Sequence, residues 1–412
     1  MQPNFKYFRL VMTALALLSL LFNAAFLWSS RDALRQGYGD FLAFYAAARL
    51  LKAHGGGDLY NLKTQEAFQK PFEAYKQRGW PLPYIHPPFE LLWLLPFTAL
   101  AYPQALAAWL TTNVILVVAT FALLTREVDV SSRLMFASMF AGFFPVTFTL
   151  FNGQDSIILL FLIAAACAQL EKNKDNIAGI LLGFALIKPQ LIFAILLLLL
   201  YKRRWRFYRA FAATAIVLAV VSIALVGPEG VRRYIDLLIT LDATQYTIAA
   251  ARMSNIRAFV EFALSVPPPA AKLGTGLLTV GFLAFLLYKS RGNADAEAEV
   301  LDLQIGLAVV VGLVTSYHAH LHDLSLLLVP ITALTRRILL GERPPGPSDR
   351  WFLFLTLCFW VPFPGSFLPL IDRGQLPWLF LPLISFAAFI THRLDHERCR
   401  STPRRQRKLG SC

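Results

Sequence analysis

The stretch EKNKDNIAGILLGFALIKPQLIFAILLLLLYKRRWR, residues 171–206, decides how the chain is organised. Its apolar part, 177–201, is long enough to be one membrane-crossing helix, because about 20 such residues span a bilayer. Lys188-Pro189-Gln190 stands at its centre, however. Proline disfavours helix in the preceding residue and removes a backbone donor, and a lysine at mid-membrane is costly. Two short helices with Lys188 at the tip of a hairpin remove both conflicts. The flanks then share a side: the charged run from Glu171 to Asp175 and the basic run from Lys202 to Arg206 face the same compartment.

Composition supports a membrane reading of the whole chain. Of 412 residues, 57% are hydrophobic and 16% charged, against about 45–50% and about 25% in soluble proteins. That excludes an ordinary soluble domain, and so much apolar surface excludes a solvated coil. Further apolar stretches run over 10–29, 104–124, 134–151, 155–170, 208–226, 273–288, 300–316, 320–335, 351–370 and 376–391. The first is too long for a signal core, and Trp28-Ser29-Ser30-Arg31 offers no small-x-small cleavage site, so it reads as an uncleaved span.

With the hairpin included, about twelve helices cross the membrane and both termini are cytoplasmic. The cytoplasmic segments then carry 24 Lys and Arg against 12 acids, so most of the net charge of +14 lies inside, as the positive-inside rule requires. A single span at 177–201 would place Lys202 to Arg209 and the basic tail outside. The sequence therefore predicts an all-α polytopic membrane protein with one transmembrane domain over 1–392 and a cytoplasmic tail over 393–412. The tail, with Arg404, Arg405, Arg407 and Lys408, reads as an anchor on anionic lipid rather than a nucleic-acid arm. Cys167 and Cys358 fall within spans, and Cys399 and Cys412 on the reducing side, so free thiols are expected. There is no Cys/His metal spacing and no nucleotide-binding glycine fingerprint, so no metal and no cofactor are expected. No convincing internal repeat is visible, which counts against transporters built from duplicated halves.

This topology gathers the unusual polar residues on the outer side. Loop 30–87 is long for a connection and should have a task of its own. It opens on Gly39-Asp40-Phe41-Leu42-Ala43-Phe44-Tyr45, which reads as an amphipathic helix along the membrane face. It closes on Tyr84-Ile85-His86-Pro87-Pro88-Phe89-Glu90, and the stretch 88–101 is too short to cross alone. Three more clusters sit at outer span ends: Asn152-Gly153-Gln154-Asp155, Lys188-Pro189-Gln190 and Tyr317-His318-Ala319-His320-Leu321-His322-Asp323. A carboxylate, a lysine and histidines on one outer face suit transfer chemistry on a lipid-linked anion, the carboxylate as base and the cations on a phosphate.

The series G-D-F-x-x-F-Y, then L-Y-N, then P-P-F-E-L-L-W-L-L-P-F, resembles glycosyltransferase family 87, as do N-G-Q at 152–154, I-K-P at 187–189 and H-x-x-x-H-D at 318–323. The resemblance runs in order from about 38 to 330. The chain departs from it at His86-Pro87-Pro88, where the family commonly shows Y-P-P. The resemblance implies a GT-C-type membrane enzyme, typically a polyprenyl-phosphate-mannose-dependent mannosyltransferase. On that basis Asp40 takes the place of the catalytic carboxylate in the first outer loop, a general base in an inverting transfer. Lys188 and His322 are expected as contacts to the donor phosphate, with His86 expected there too although it stands where the chain departs from the family, and Gln154, Asn152, Tyr45 and His318 are expected as contacts to substrate.

Plainer readings stand beside these. Asp40 could cap the helix that begins at Phe41, Lys188 could snorkel to the interface, Gln154 could satisfy backbone groups in a turn, and the alternating histidines could bind a metal. The implied function is transfer of a sugar, mannose first among the candidates, from a polyprenyl-phosphate donor to an envelope glycolipid or glycan at the extracytoplasmic face of the plasma (inner) membrane. The same chemistry with arabinofuranose or glucose is one alternative. A lipid or sugar transporter or flippase is another, and would need a polar route on both faces. The partners expected are the lipid-linked donor, the acceptor and the bilayer, with no nucleic acid.

Overall fold

The computed structural model describes residues 3–244, 251–291, 294–340 and 376–401. The described chain is helical, with no strand among these residues beyond one isolated bridge between Met253 and His320. Helix α1 (Pro3–Ser29) leads into the long loop over 30–87, which carries α2 (Arg31–Arg35), α3 (Phe41–His54), α4 (Leu62–Gln69) and α5 (Glu73–Arg78). Short turns then frame α6 (Leu91–Leu94), and the apolar helices begin again with α7 (Tyr102–Leu124), α8 (Val130–Gly142), α9 (Phe144–Asn152) and α10 (Ser156–Leu170). After α11 (Asp175–Phe184), α12 (Pro189–Tyr201) and α13 (Trp205–Thr244), the helices Pro268–Lys289, Ala294–Thr315, Leu328–Leu340 and Phe380–Ser401 complete the described bundle.

The segment 171–206 folds as a hairpin. Helix α11 tightens into a 3-10 turn at Ala185–Ile187, and Lys188 breaks the helical path with φ −133° and ψ 72°. Pro189 then starts α12 at the position where its missing donor costs nothing. The arms meet again at their far end, where Arg204 Nη1 lies 3.1 Å from Asp175 Oδ1. One continuous helix would hold these residues about 44 Å apart. Glycines on α11 set how closely the next helix packs. A Cβ on Gly179 would fall 2.3 Å from the Phe207 carbonyl oxygen, and one on Gly183 would fall 2.6 Å from Thr214 Cβ. This is close helix approach through small residues spaced four apart.

Four described helices are long and apolar enough to cross a membrane: Tyr102–Leu124, Trp205–Thr240, Pro269–Lys289 and Pro377–Arg398. The bent pair Ser132–Gly142 and Phe144–Asn152 makes a fifth if taken as one span. The remaining apolar helices are shorter, among them Thr13–Ser29, Ser156–Leu170, both hairpin arms and Val300–Thr315. The stretch expected as a straight span over 134–151 bends by 45° instead. The break is at Phe143, in the extended region, and Pro145 in the first turn of α9 has no N–H to continue the α8 hydrogen-bond ladder to the Ala141 carbonyl. The stretch at 208–226 extends well beyond its expected end, to Thr244, across a break at Gly227 (φ 67°) and Pro228. The expected span at 351–370 and the tail from 402 lie outside the described residues.

Two apolar cores result. The larger ties α8 to α12 to the later helices, and the smaller belongs to the loop over 30–87. The loop core joins Phe41, Phe44 and Tyr45 of α3 with Tyr60, Tyr84 and, from α7, Trp109. Helix α3 is therefore not an amphipathic surface helix: every residue from Phe41 to Ala48 is buried. The run of small side chains at Ala46, Ala47 and Ala48 lets α4, α6 and α7 close around it.

Candidate functional site

Asp40 is placed by two glycine-bearing segments that fit into each other. Gly153 ends α9 with φ 66°, the left-handed conformation usual after a helix C-terminus. A Cβ on Gly153 would fall 2.6 Å from Phe41 Cβ, and one on Gly39 would fall 2.9 Å from the Asn152 carbonyl oxygen. Trp109 fastens the seam, donating from Nε1 to the Gly153 carbonyl at 2.9 Å and stacking on Phe41 at 5.6 Å. The motifs G-D-F and N-G-Q thus pack backbone against backbone. Gln154 Nε2 then donates to Asp40 Oδ2 at 2.8 Å. Asp40 occupies the N-cap position of α3, yet its side chain makes no capping bond. Its carboxylate is half-buried and turned toward the site.

Behind Gln154 lies a buried charge cluster. Lys188 Nζ is 2.8 Å from Asp155 Oδ1, 2.8 Å from Asp323 Oδ1 and 2.9 Å from Ser156 Oγ. Gln154 Oε1 is its longest partner, at 3.5 Å. With Nε2 on the carboxylate and Oε1 on the ammonium, the Gln154 amide has the one orientation that satisfies both neighbours. Asp323 also accepts from Ser156 Oγ at 2.6 Å and from the His320 backbone N–H at 2.9 Å, so it closes the first turn of the 3-10 helix Leu321–Leu327 in which it lies. The three donors of the ammonium are therefore occupied in this arrangement.

His86 extends the cluster on the other side. Its Nδ1 lies 3.1 Å from Glu90 Oε2 and 3.3 Å from Asp155 Oδ2, and Tyr84 Oη donates to Glu90 Oε2 at 3.1 Å. Burial disfavours the imidazolium, but the Glu90 and Asp155 carboxylates outweigh it and hold His86 up at about 10. Burial raises Glu90 above the ordinary carboxylate range, with His86 pulling the other way. These three residues are a conceivable cation cage, their ligand atoms lying within 4.8 Å of one another. The geometry favours an ion-pair cluster: His86 Nδ1 already sits between both carboxylates, and Lys188 compensates Asp155.

The residues singled out from sequence fall into three groups. Asp40, Gln154, Lys188 and His86 belong to one continuous polar path. His322 is buried beside it, with Nε2 3.5 Å from Asp323 Oδ2. His318 faces His320, their Nε2 atoms 3.1 Å apart. Tyr45 is elsewhere: it is buried in the loop core and donates to the Leu100 carbonyl at 2.8 Å. Asn152 contributes its backbone to the seam with Gly39. Sequence reasoning gave no role to Asp155, Glu90 or Ser156. A signal for Glu90 was present, since His86 and Glu90 stand four apart in a stretch that turns helical at Pro88. Arg78 was also missed. Its Nε donates to the Trp80 carbonyl at 2.8 Å, its Nη2 is buried without a hydrogen-bond partner among the described residues, and the charge of Asp40 acts on it.

Comparison with known proteins places most of the chain in a known family. The sequence signature described as glycosyltransferase family 87 matches residues 84–316. The polyprenol-phosphate-mannose-dependent alpha-(1-2)-phosphatidylinositol mannoside mannosyltransferase of Mycolicibacterium smegmatis is 25% identical over 324 residues, covering 70% of this chain and 69% of the relative. No solved structure matches.

Proposed function

This chain belongs to glycosyltransferase family 87, and from that premise we propose that it moves mannose from a polyprenyl-phosphate donor to an envelope glycolipid or glycan at the extracytoplasmic face. The twelve-span GT-C arrangement with cytoplasmic termini is part of the same reading, supported by the charge distribution and by the hairpin. The observation that carries the mechanism is the uncapped carboxylate of Asp40, held by Gln154 at the accessible edge of a buried charge cluster.

In the proposed step, Asp40 takes the proton of an acceptor hydroxyl as its oxygen attacks the anomeric carbon. The bond from that carbon to the phosphate oxygen breaks on the opposite face, and polyprenyl phosphate leaves with the electron pair. A β-linked donor gives an α-linked product. Lys188 reaches a donor phosphate by exchanging its weakest partner, Gln154, for a phosphate oxygen, while Asp155 and Asp323 keep it in place. His86 and His322 act through those acids, and Arg78 offers a guanidinium with a free donor near Asp40.

The test is transfer of radiolabelled mannose from polyprenyl-phosphate-mannose to membrane extract by wild type and Asp40→Asn, both purified and folded. The expected loss is about 10²–10⁴-fold, the usual worth of a general base. Because Asp40 makes no capping bond, the variant should keep wild-type stability. Equal transfer by both proteins would remove Asp40 from the mechanism. Transfer from another lipid-linked sugar but not from mannose would keep the chemistry and change the donor.

A further inference from the structure

The end of the hairpin remote from Lys188 carries a second polar feature that the transferase reading does not use. Between the base of the hairpin and the start of α13 lies a cavity of about 510 Å³ lined by Arg203, Arg204, Arg206 and Arg209 with Asn173 and Asp175. Helix α11 and its 3-10 turn separate it from Lys188 by about 20 Å. Only Arg204 is paired, with Asp175. Arg203, Arg206 and Arg209 are exposed and form no ion pair with the described residues.

The backbone around the cavity is held in an uncommon shape. Three described residues other than glycine have positive φ, and two of them line it: Asn173 at 55° and Arg203 at 53°. The left-handed region is strained for a side-chain-bearing residue such as arginine. Here it turns α12 sharply into α13 and brings the arginines together. The surroundings are those of a membrane interface. Trp205, also in the lining, is 58% exposed, and Tyr201 and Leu200 beside it are exposed too. Along α13 the exposed Ile216, Val217 and Val220 continue an apolar wall away from the cavity. Aromatic residues favour the headgroup level, and basic pockets at helix ends take anionic headgroups.

We propose that this cavity binds the phosphate headgroup of an anionic phospholipid, its acyl chains lying along α13. Guanidinium forks hold the phosphate oxygens in pairs, and the rim aromatics sit at the glycerol level. This site is independent of the transfer reaction, so its test reads binding alone.

The test is native mass spectrometry of the full-length protein titrated with phosphatidylglycerol, with phosphatidylcholine as the neutral control. The variant Arg203→Lys/Arg206→Lys/Arg209→Lys keeps every charge, and so the orientation signal, but loses the forked donors. It should retain at least about fivefold less phosphatidylglycerol than wild type, a ratio in keeping with losing strong charge-assisted bonds. A matched variant in the tail, Arg404→Lys/Arg405→Lys/Arg407→Lys, should retain as much as wild type. Equal retention by the cavity variant would overturn the site, as would an equal loss in the tail variant or equal binding of phosphatidylcholine. Binding of inorganic phosphate with no lipid retained would also overturn it, reassigning the arginines to a free anion.

Discussion

Replacing Lys188 with methionine separates two descriptions of that residue. If Lys188 were a spare cation waiting for substrate, its loss would reduce transfer and leave the fold untouched. The structure gives it a structural duty as well. Lys188 is 6% exposed, Asp155 0% and Asp323 1%, and the ammonium stands 2.8 Å from a carboxylate oxygen of each. Lys188→Met leaves both carboxylates buried without their shared counter-charge. Breaking a buried ion pair from one side costs about 3–5 kcal/mol. Adding Asp323→Asn removes one of the stranded charges, so the double variant should recover part of the loss. A coupling energy of about 1–3 kcal/mol is expected, within the range for groups in one network. The assay is equilibrium unfolding of the full-length protein in micelles for wild type, both single variants and the double variant. A Lys188→Met protein within about 1 kcal/mol of wild type, the scatter of an ordinary substitution, would refute the reasoning. Strict additivity of the two changes would refute it equally.

Three further outcomes follow from the geometry. Gly153→Ala introduces a Cβ 2.6 Å from Phe41 Cβ at φ 66°, so it should lose about 1–3 kcal/mol together with transfer, whereas Gly57→Ala, where a Cβ meets open space, should change neither; a neutral Gly153→Ala would show that the seam is loose. His86, raised from 6.5 to about 10 in the folded protein, contributes stability that is fully present below about 6.5 and is lost as pH rises through about 10. Denaturation midpoints should therefore fall between pH 7 and 10 in wild type and fall less in His86→Gln, and parallel profiles would remove the imidazolium from the cluster. Finally, an impermeant thiol reagent added from outside should label Gln190→Cys and miss Trp205→Cys, and the reverse pattern would invert the side assigned to Lys188.

Local features of the chain made the hairpin readable. A lysine followed by proline in the middle of an apolar run is expensive in any continuous helix, and basic residues at both ends point to one compartment. The polar motifs could be read as neighbours because each sits at a helix end on the same side. The bend at Phe143 was available by the same logic, since Pro145 cannot donate to the carbonyl four residues earlier and so interrupts a continuous helix over 134–151. Other features depend on tertiary packing. Nothing in the run I-K-P tells that Lys188 meets two acids from segments 33 and 135 residues away in sequence. Tyr45 shares a motif with Asp40, but in a helix five residues turn a side chain well away from the first, and its ring ends in the loop core. The burial of α3 on nearly every side likewise rests on neighbours that its own periodicity does not show.

The seam between Gly39 and Gly153 has a consequence for biogenesis. Residues 39–41 enter the membrane system early in synthesis, but the groove that receives them is formed only when α9 and α10 have been made and packed more than a hundred residues later. Until then Asp40 has no Gln154 to orient it and no charge cluster behind it. A nascent or mis-inserted chain therefore carries this carboxylate on an unpartnered loop, and the Asp40–Gln154 geometry comes into being in the same event that closes the fold. If Asp40 is the base proposed above, competence for transfer reports that assembly has finished.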